Sequence, residues 1–365
     1  MEGQIGLAQG TLLVFAILSA KLFVQYPGFL IDSAGPAAWQ TALIMTGVGM
    51  LLFLPTALLV RRFPRQSLAS IAVEVAGPIL GRVLTLLVGL WLFAAATLTV
   101  RAFTETFIIS ILPTTPPSVL TMAILLCVIY ASWRGFEPLC RANQVLFPLM
   151  VGGIILVLLF SLPRADMNRL FPIWGKGIDQ TVMNGLLYGG MAAEALVLPV
   201  LGYAFADPET LRNSGLNGIL LFGLSATATV AVLVTIFGAP DAAEQSFPMF
   251  NLARLVYLGR FLQRIESLVV MFWFFAAAVR LSALFHAGIV IVTQTLNLPW
   301  YRPLLYPMAL LVGVISLMPK DFVTVLRLDR VWLRPSGIGL LLVPLLLLFI
   351  ARFRRKGGEG VESQA

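Results

Sequence analysis

The chain has 365 residues, 59% hydrophobic and 12% charged, with a formal charge of +8 and a mean hydropathy of +0.93. A soluble domain runs about 45–50% apolar and about 25% charged, and the excess here is gathered into long runs, so an ordinary soluble globule is excluded. The basic surplus sits at the ends of those runs, where it sets topology and meets anionic lipid, so nucleic acid is excluded as a partner.

Ten apolar runs are long enough to cross a bilayer, at about 8–33, 37–60, 79–112, 118–133, 142–162, 182–205, 213–237, 257–295, 302–318 and 334–353. They predict an all-α membrane protein of ten transmembrane helices forming one domain over 1–365, with 354–365 as a cytoplasmic tail. The first run is read as a retained span, since Glu2 is acidic where a signal peptide carries Lys or Arg. It holds Lys21 near its middle and Tyr26-Pro27-Gly28 further on. The loop after the second run carries Arg61, Arg62 and Arg65, and the tail carries Arg352, Arg354, Arg355 and Lys356. Both clusters lie inside only if both termini are cytoplasmic.

The third run is longer than a crossing needs and carries Arg101 and Glu105, spaced i,i+4 on one face and able to neutralise each other. Cys127 and Cys140 follow without a CxxC or Cys/His cluster, and His286 is the sole histidine, so no metal centre is expected. The stretches 165–181 and 239–256 have room for one short surface helix each.

The sixth run contains Gly189-Gly190-Met191-Ala192-Ala193-Glu194, then Pro199 and Gly202. Proline removes a backbone donor and frees carbonyls one turn earlier, so runs one and six, interrupted at matching depths, suggest two related halves, about 8–162 and 182–318 plus 334–353. In such inverted repeats a ligand site lies near the midplane. The eighth run opens with Arg260, Gln263, Arg264, Glu266 and Ser267, passes Trp273 and meets Arg280. A charge at membrane depth costs roughly 2.5–3.5 kcal/mol even on the lenient insertion scale, so Lys21, Arg101, Glu105, Glu194, Glu266 and Arg280 should face a bundle interior, a cavity or one another. Lys21 is expected to pair with Glu194 or Glu105. Glu194 is open to two roles, ligand or proton binding on one side and helix knitting on the other. No nucleophile elbow, Walker sequence, dinucleotide fingerprint or zinc motif occurs, so neither an enzyme nor a cofactor is expected.

One block is more specific. Ser246-Phe247-Pro248-Met249-Phe250-Asn251-Leu252-Ala253-Arg254-Leu255, followed by Phe261-Leu262-Gln263-Arg264-Ile265-Glu266-Ser267 and Trp273, resembles the signature region of the membrane B-subunits of bacterial spore germinant receptors. Gln9, Trp39, Arg62-Phe63-Pro64 before Ser67-Leu68, and the basic tail agree with it. The resemblance implies the amino acid–polyamine–organocation superfamily, with a LeuT-like five-plus-five inverted repeat and broken helices 1 and 6. It implies a nutrient sensor, commonly for an amino acid, in the inner membrane of the bacterial spore, acting with a receptor A-subunit and a lipoprotein C-subunit. The ligand would lie between spans 1 and 6, closed by spans 3 and 8. On this sequence that selects Ser19, Lys21, Gln25, Gly189, Gly190, Glu194 and Trp273 for ligand binding, with Arg101, Glu105, Glu266 and Arg280 as a polar pathway or intramembrane pairs. The chain departs from the family at Ser19-Ala20-Lys21, where relatives often have a glycine-rich break, and at Arg280, where they tend to have lysine. A proton-coupled amino-acid or amine transporter, and a passive ion or water conduit within a complex, are the other readings.

Overall fold

The computed structural model describes residues 4–24, 26–256 and 265–357. Within them the chain is helical: α1 (Leu7–Ser19), α2 (Tyr26–Ala34), α3 (Ala38–Arg62), α4 (Leu68–Ala76), α5 (Pro78–Ser110), α6 (Pro117–Arg134), α7 (Phe136–Ser161) and α8 (Ile178–Tyr188). There follow α9 (Val197–Val200), α10 (Pro208–Phe237), α11 (Ala239–Glu244), α12 (Pro248–Leu255), α13 (Ile265–Thr295), α14 (Leu305–Ser316), α15 (Phe322–Leu328) and α16 (Arg334–Phe353). Among the described residues, eight helical stretches are long and apolar enough to cross a bilayer, and Leu7–Phe23 and Arg302–Ser316 are shorter apolar ones. The protein is an integral membrane protein.

Burial orders the bundle. In α13, 83% of the apolar window is buried, against 22% in α6, so α13 runs through the middle and α6 along the lipid-facing rim. Tight connections join neighbours: Gly77 (φ 92°) and Gly135 (φ 101°) each link two helices as a single residue, in a conformation that glycine adopts without steric cost.

The two interrupted helices lie elsewhere than proline and glycine suggested. In the first, α1 ends at Ser19, a 3-10 turn covers Ala20–Phe23, and α2 starts at Tyr26. Pro27 is thus the second residue of a helix, where no carbonyl one turn earlier is displaced, and it begins the second half rather than breaking the first. In the second, 3-10 geometry runs over Gly189–Leu196, one α turn holds Pro199, and Gly202–Ala204 is 3-10 again. The break therefore starts ten residues before Pro199, at the glycine pair. The N-terminal segment ties the two together, with Ile5 donating its N–H to the Ala204 carbonyl at 2.9 Å.

The last crossing is also longer than the apolar run suggested. Residues 322–333, left between the ninth and tenth apolar runs, form α15 and a single π turn, Asp329–Leu333, which passes directly into α16. The charges there masked a helix whose inward face is apolar. On the tail side, α4 was not anticipated at all. Lys356 Nζ donates to the Glu74 carbonyl at 2.7 Å and Arg354 Nη1 to the Val75 carbonyl at 3.0 Å, so two cations cap the C-terminal turn of α4, the end that the helix dipole makes negative. Arg62 Nε closes the strap by donating to the Lys356 carbonyl at 2.6 Å.

Two crossings are capped at their outer or inner mouths by aspartates. The Asp207 carboxylate accepts from the Thr210 N–H at 2.7 Å, and Asp321 from the Thr324 N–H at 2.7 Å. These backbone donors, helped by the threonine hydroxyls, hold both carboxyls below the usual carboxylate range. A depressed folded pKa contributes stability above the unfolded value and loses it as pH falls through the folded one. Asp207→Asn keeps the cap and removes the titration. Its unfolding midpoint is expected to fall less steeply than wild type between about pH 5 and 3, and parallel curves would refute the assignment.

Candidate functional site

Between the first interrupted helix, α5, α13 and the α15–α16 junction lies a hollow of about 60 Å³, lined among others by Ala20, Lys21, Tyr26, Phe103, Trp273, Arg280, Asp329 and Arg334. The second interrupted helix, expected to form the facing wall, contributes no lining residue among those described. It is several times the space one water needs, and its walls carry polar groups as well as aromatic faces.

Three helices contribute one charge cluster beside it, of which Lys21 and Arg280 reach the wall. Lys21, on the 3-10 turn of the first interrupted helix, places Nζ 2.6 Å from Glu194 Oε1 on the second. Arg280 of α13 grips the same carboxylate in a fork, Nη2 to Oε1 at 2.7 Å and Nε to Oε2 at 3.0 Å. Glu194 is fully buried, and Lys21 and Arg280 are 6% and 8% exposed. The small residues Ala192, Ala193 and Ala195 around Glu194 let the three backbones come this close. Trp273, about two turns before Arg280, donates its indole N–H to the Ala20 carbonyl at 3.1 Å, tying α13 to the 3-10 turn of the first break. Its ring meets Phe103 edge-on at 5.0 Å, and together they wall the hollow.

A second pair stands opposite. Arg334 Nε donates to Asp329 Oδ2 at 2.7 Å, and the π turn between them is what lets residues five apart face each other. The Arg334 guanidinium lies over the rings of Tyr26 (4.6 Å), Phe29 (5.0 Å) and Tyr188 (5.7 Å), so an aromatic cage from both interrupted helices holds the last crossing in place. Tyr26 in turn donates its hydroxyl to Met45 Sδ at 2.6 Å. Further out, Arg330 Nη2 meets Asp32 Oδ2 at 2.8 Å, bridging α2 to the same π turn.

The expected site residues divide clearly. Lys21, Trp273 and Arg280 line the hollow, and Glu194 joins Lys21 and Arg280 behind its wall without lining it. Ser19 does not reach it; the hydroxyl turns back to the Ala16 carbonyl of its own helix at 3.4 Å. Gly189 and Gly190 serve packing instead: a Cβ on Gly189 would strike Val48, and one on Gly190 would come within 2.5 Å of the Arg334 carbonyl oxygen. Arg101 and Glu105 pair with each other, Nη2 to Oε1 at 2.7 Å, and Arg101 lines a separate recess with Thr97 and Ser316. Gln25 and the Glu266 side chain lie outside the described residues. Asp329, Arg334 and Tyr26 were missed. The signal available for the first two was the apolar stretch Phe322-Val323-Thr324-Val325-Leu326 leading into them, a helical continuation of the last run.

Residues 4–324 match the Spore germination protein family, and the chain belongs to it. It is 26% identical over 322 residues to Spore germination protein XB of Bacillus anthracis, covering 87% of this chain and 89% of that protein. With Spore germination protein KB of Bacillus subtilis (strain 168) it shares 24% identity over 360 residues, 95% and 94% of the two chains. Among solved structures it is similar to a Na+-coupled sialic acid symporter in a substrate-bound, outward-open state, with a TM-score of 0.64 at 14% identity, covering 94% of this chain and 79% of that one. The fold is therefore that of a LeuT-type transporter, carried by a spore germination protein.

Proposed function

We propose that the protein is the membrane subunit of a nutrient germinant receptor, and that it senses a small molecule, an amino acid on the family resemblance, in the midplane hollow to trigger spore germination. In this reading the eight long helical stretches and the two short ones make ten crossings in two inverted five-helix halves. The chain lies in the inner spore membrane with both termini cytoplasmic, and it works with an A-subunit and a lipoprotein C-subunit.

The observation that carries the reading is the hollow itself, set against the break of the first interrupted helix in a member of this family. The Lys21–Glu194–Arg280 cluster joins the elements whose relative motion would have to report occupancy. A ligand switches such a bundle only by favouring one arrangement, by about 5.5 kcal/mol for a nearly complete swing. The fold likeness to a symporter supports the second reading, an active carrier.

The two separate in a paired assay on the purified full chain. A mixture of the common L-amino acids is expected to raise the thermal midpoint in detergent, while labelled amino acids do not accumulate in proteoliposomes. Accumulation would replace the receptor with the carrier. Neither response would leave the hollow without a sensing role.

A further inference from the structure

Four charged side chains line the hollow, a fifth, Glu194, stands behind Lys21 and Arg280, and the five do not balance. Lys21, Arg280 and Arg334 stand against Glu194 and Asp329, with Lys21, Arg280, Asp329 and Arg334 sharing the one cavity wall. Both carboxylates are already engaged. Glu194 takes Lys21 and the Arg280 fork, and Asp329 takes Arg334. The nearest other ions, Arg101 with Glu105 and Arg330 with Asp32, are closed pairs of zero net charge. Among the described residues one cation is therefore in excess, in a region sheltered from water where an uncompensated charge is costly. Arg334, only 4% exposed, also has an Nη1 group buried with no hydrogen-bond partner.

Resting on the sensing role just proposed for this hollow, we infer that its ligand is a small monovalent anion, and foremost a short-chain carboxylate, which completes the charge balance of the cluster. A carboxylate matches the flat donor edge of a guanidinium and accepts from an ammonium as well. The volume of about 60 Å³ admits only a few heavy atoms. An amine would enter as a fourth cation with no free carboxylate to meet it. A zwitterionic amino acid satisfies the cluster through its carboxylate and leaves its ammonium facing the same positive wall. The amino-acid expectation narrows accordingly: the carboxylate is recognised and the amino group is a handicap.

The test uses the purified full chain in nanodiscs, with gluconate, too large for the hollow, as background anion at constant sodium. Thermal midpoints are followed against propionate, chloride, ethylammonium, propionamide and alanine. Propionate is expected to raise the midpoint saturably, alanine less, and ethylammonium and propionamide not at all. A rise with chloride alone would support the anion with an inorganic source. Lys21→Gln removes the excess cation while leaving two closed pairs, so the protein is expected to stay folded and to need at least tenfold more propionate for half the effect. Equal shifts from propionamide or ethylammonium would overturn the anion while leaving a sensing hollow in place. So would a propionate response that survives Lys21→Gln unchanged. Silence from every probe would overturn the inference, and if the amino-acid mixture were also silent, the sensing role would fall separately.

Discussion

Glu194→Gln is expected to lower the stability of the inserted protein by about 3–5 kcal/mol, the usual cost of removing one partner from a buried ion pair. Here the loss is compounded, because two cations, Lys21 and Arg280, lose a shared carboxylate that is fully buried. The chain should still reach the membrane fraction, since insertion follows the hydropathy of whole segments. The thermal midpoint should drop, and spores carrying the variant should lose their nutrient response. Removing Lys21 as well, as Lys21→Met in the same chain, is expected to return part of the stability, with a coupling of about 0.5–3 kcal/mol in the double-mutant cycle. An unchanged midpoint together with a normal germination response would reduce Glu194 to a packing residue.

Gly190→Val carries the second large effect. At this position a new Cβ would lie 2.5 Å from the Arg334 carbonyl oxygen and 2.9 Å from Ile338 Cγ1, and the facing Gly337 is equally crowded by the Gly190 carbonyl. Neither backbone can retreat without moving α16, so the cost should reach about 1–3 kcal/mol or more, and Arg334 should leave its aromatic cage. Gly190→Ala should cost less than valine but more than nothing. Gly47→Ala on α3 is the control, since nothing lies within 4 Å of its added methyl and alanine favours helix. If Gly190→Val and Gly47→Ala gave equal midpoints, the close approach of α16 to the second interrupted helix would be wrong.

Much of this architecture was legible before any coordinates, and for a plain reason. Apolar runs are forced by the bilayer, and a charge inside one is too costly to be accidental, so Lys21, Glu194 and Arg280 announced themselves. What a one-dimensional reading does not contain is who meets whom. Lys21 was open to Glu194 or Glu105, and only the packing of three helices settles that Glu194 holds both cations while Glu105 keeps Arg101. Pro27 and Pro199 are loud signals that place both breaks too late, whereas the true interruptions begin at Ala20, within the Ser19-Ala20-Lys21 stretch that the family resemblance marked, and at Gly189. Ser19 looked like a ligand group by adjacency to Lys21, yet one residue on a helix is a rotation of about 100°, enough to turn its hydroxyl to its own backbone. Asp329 stayed hidden because Lys320, Asp321, Arg327 and Arg330 make 320–333 look like loop, although its apolar positions belong to a helix, and Arg334, the first residue of the tenth run, lost its partner with it.

The π turn at Asp329–Leu333 holds one more residue than an α turn of the same length. Were that spare residue drawn out into ordinary α geometry, everything before it would rotate by about 100° against everything after it. Val325 and Leu326, which face the hollow from α15, would swing away, and Arg330 would part from Asp32. The α15 wall of the hollow thus meets α16 through a turn that the Asp329–Arg334 pair spans. The inner length of the same helix, clamped against the glycine pair, stays where it is.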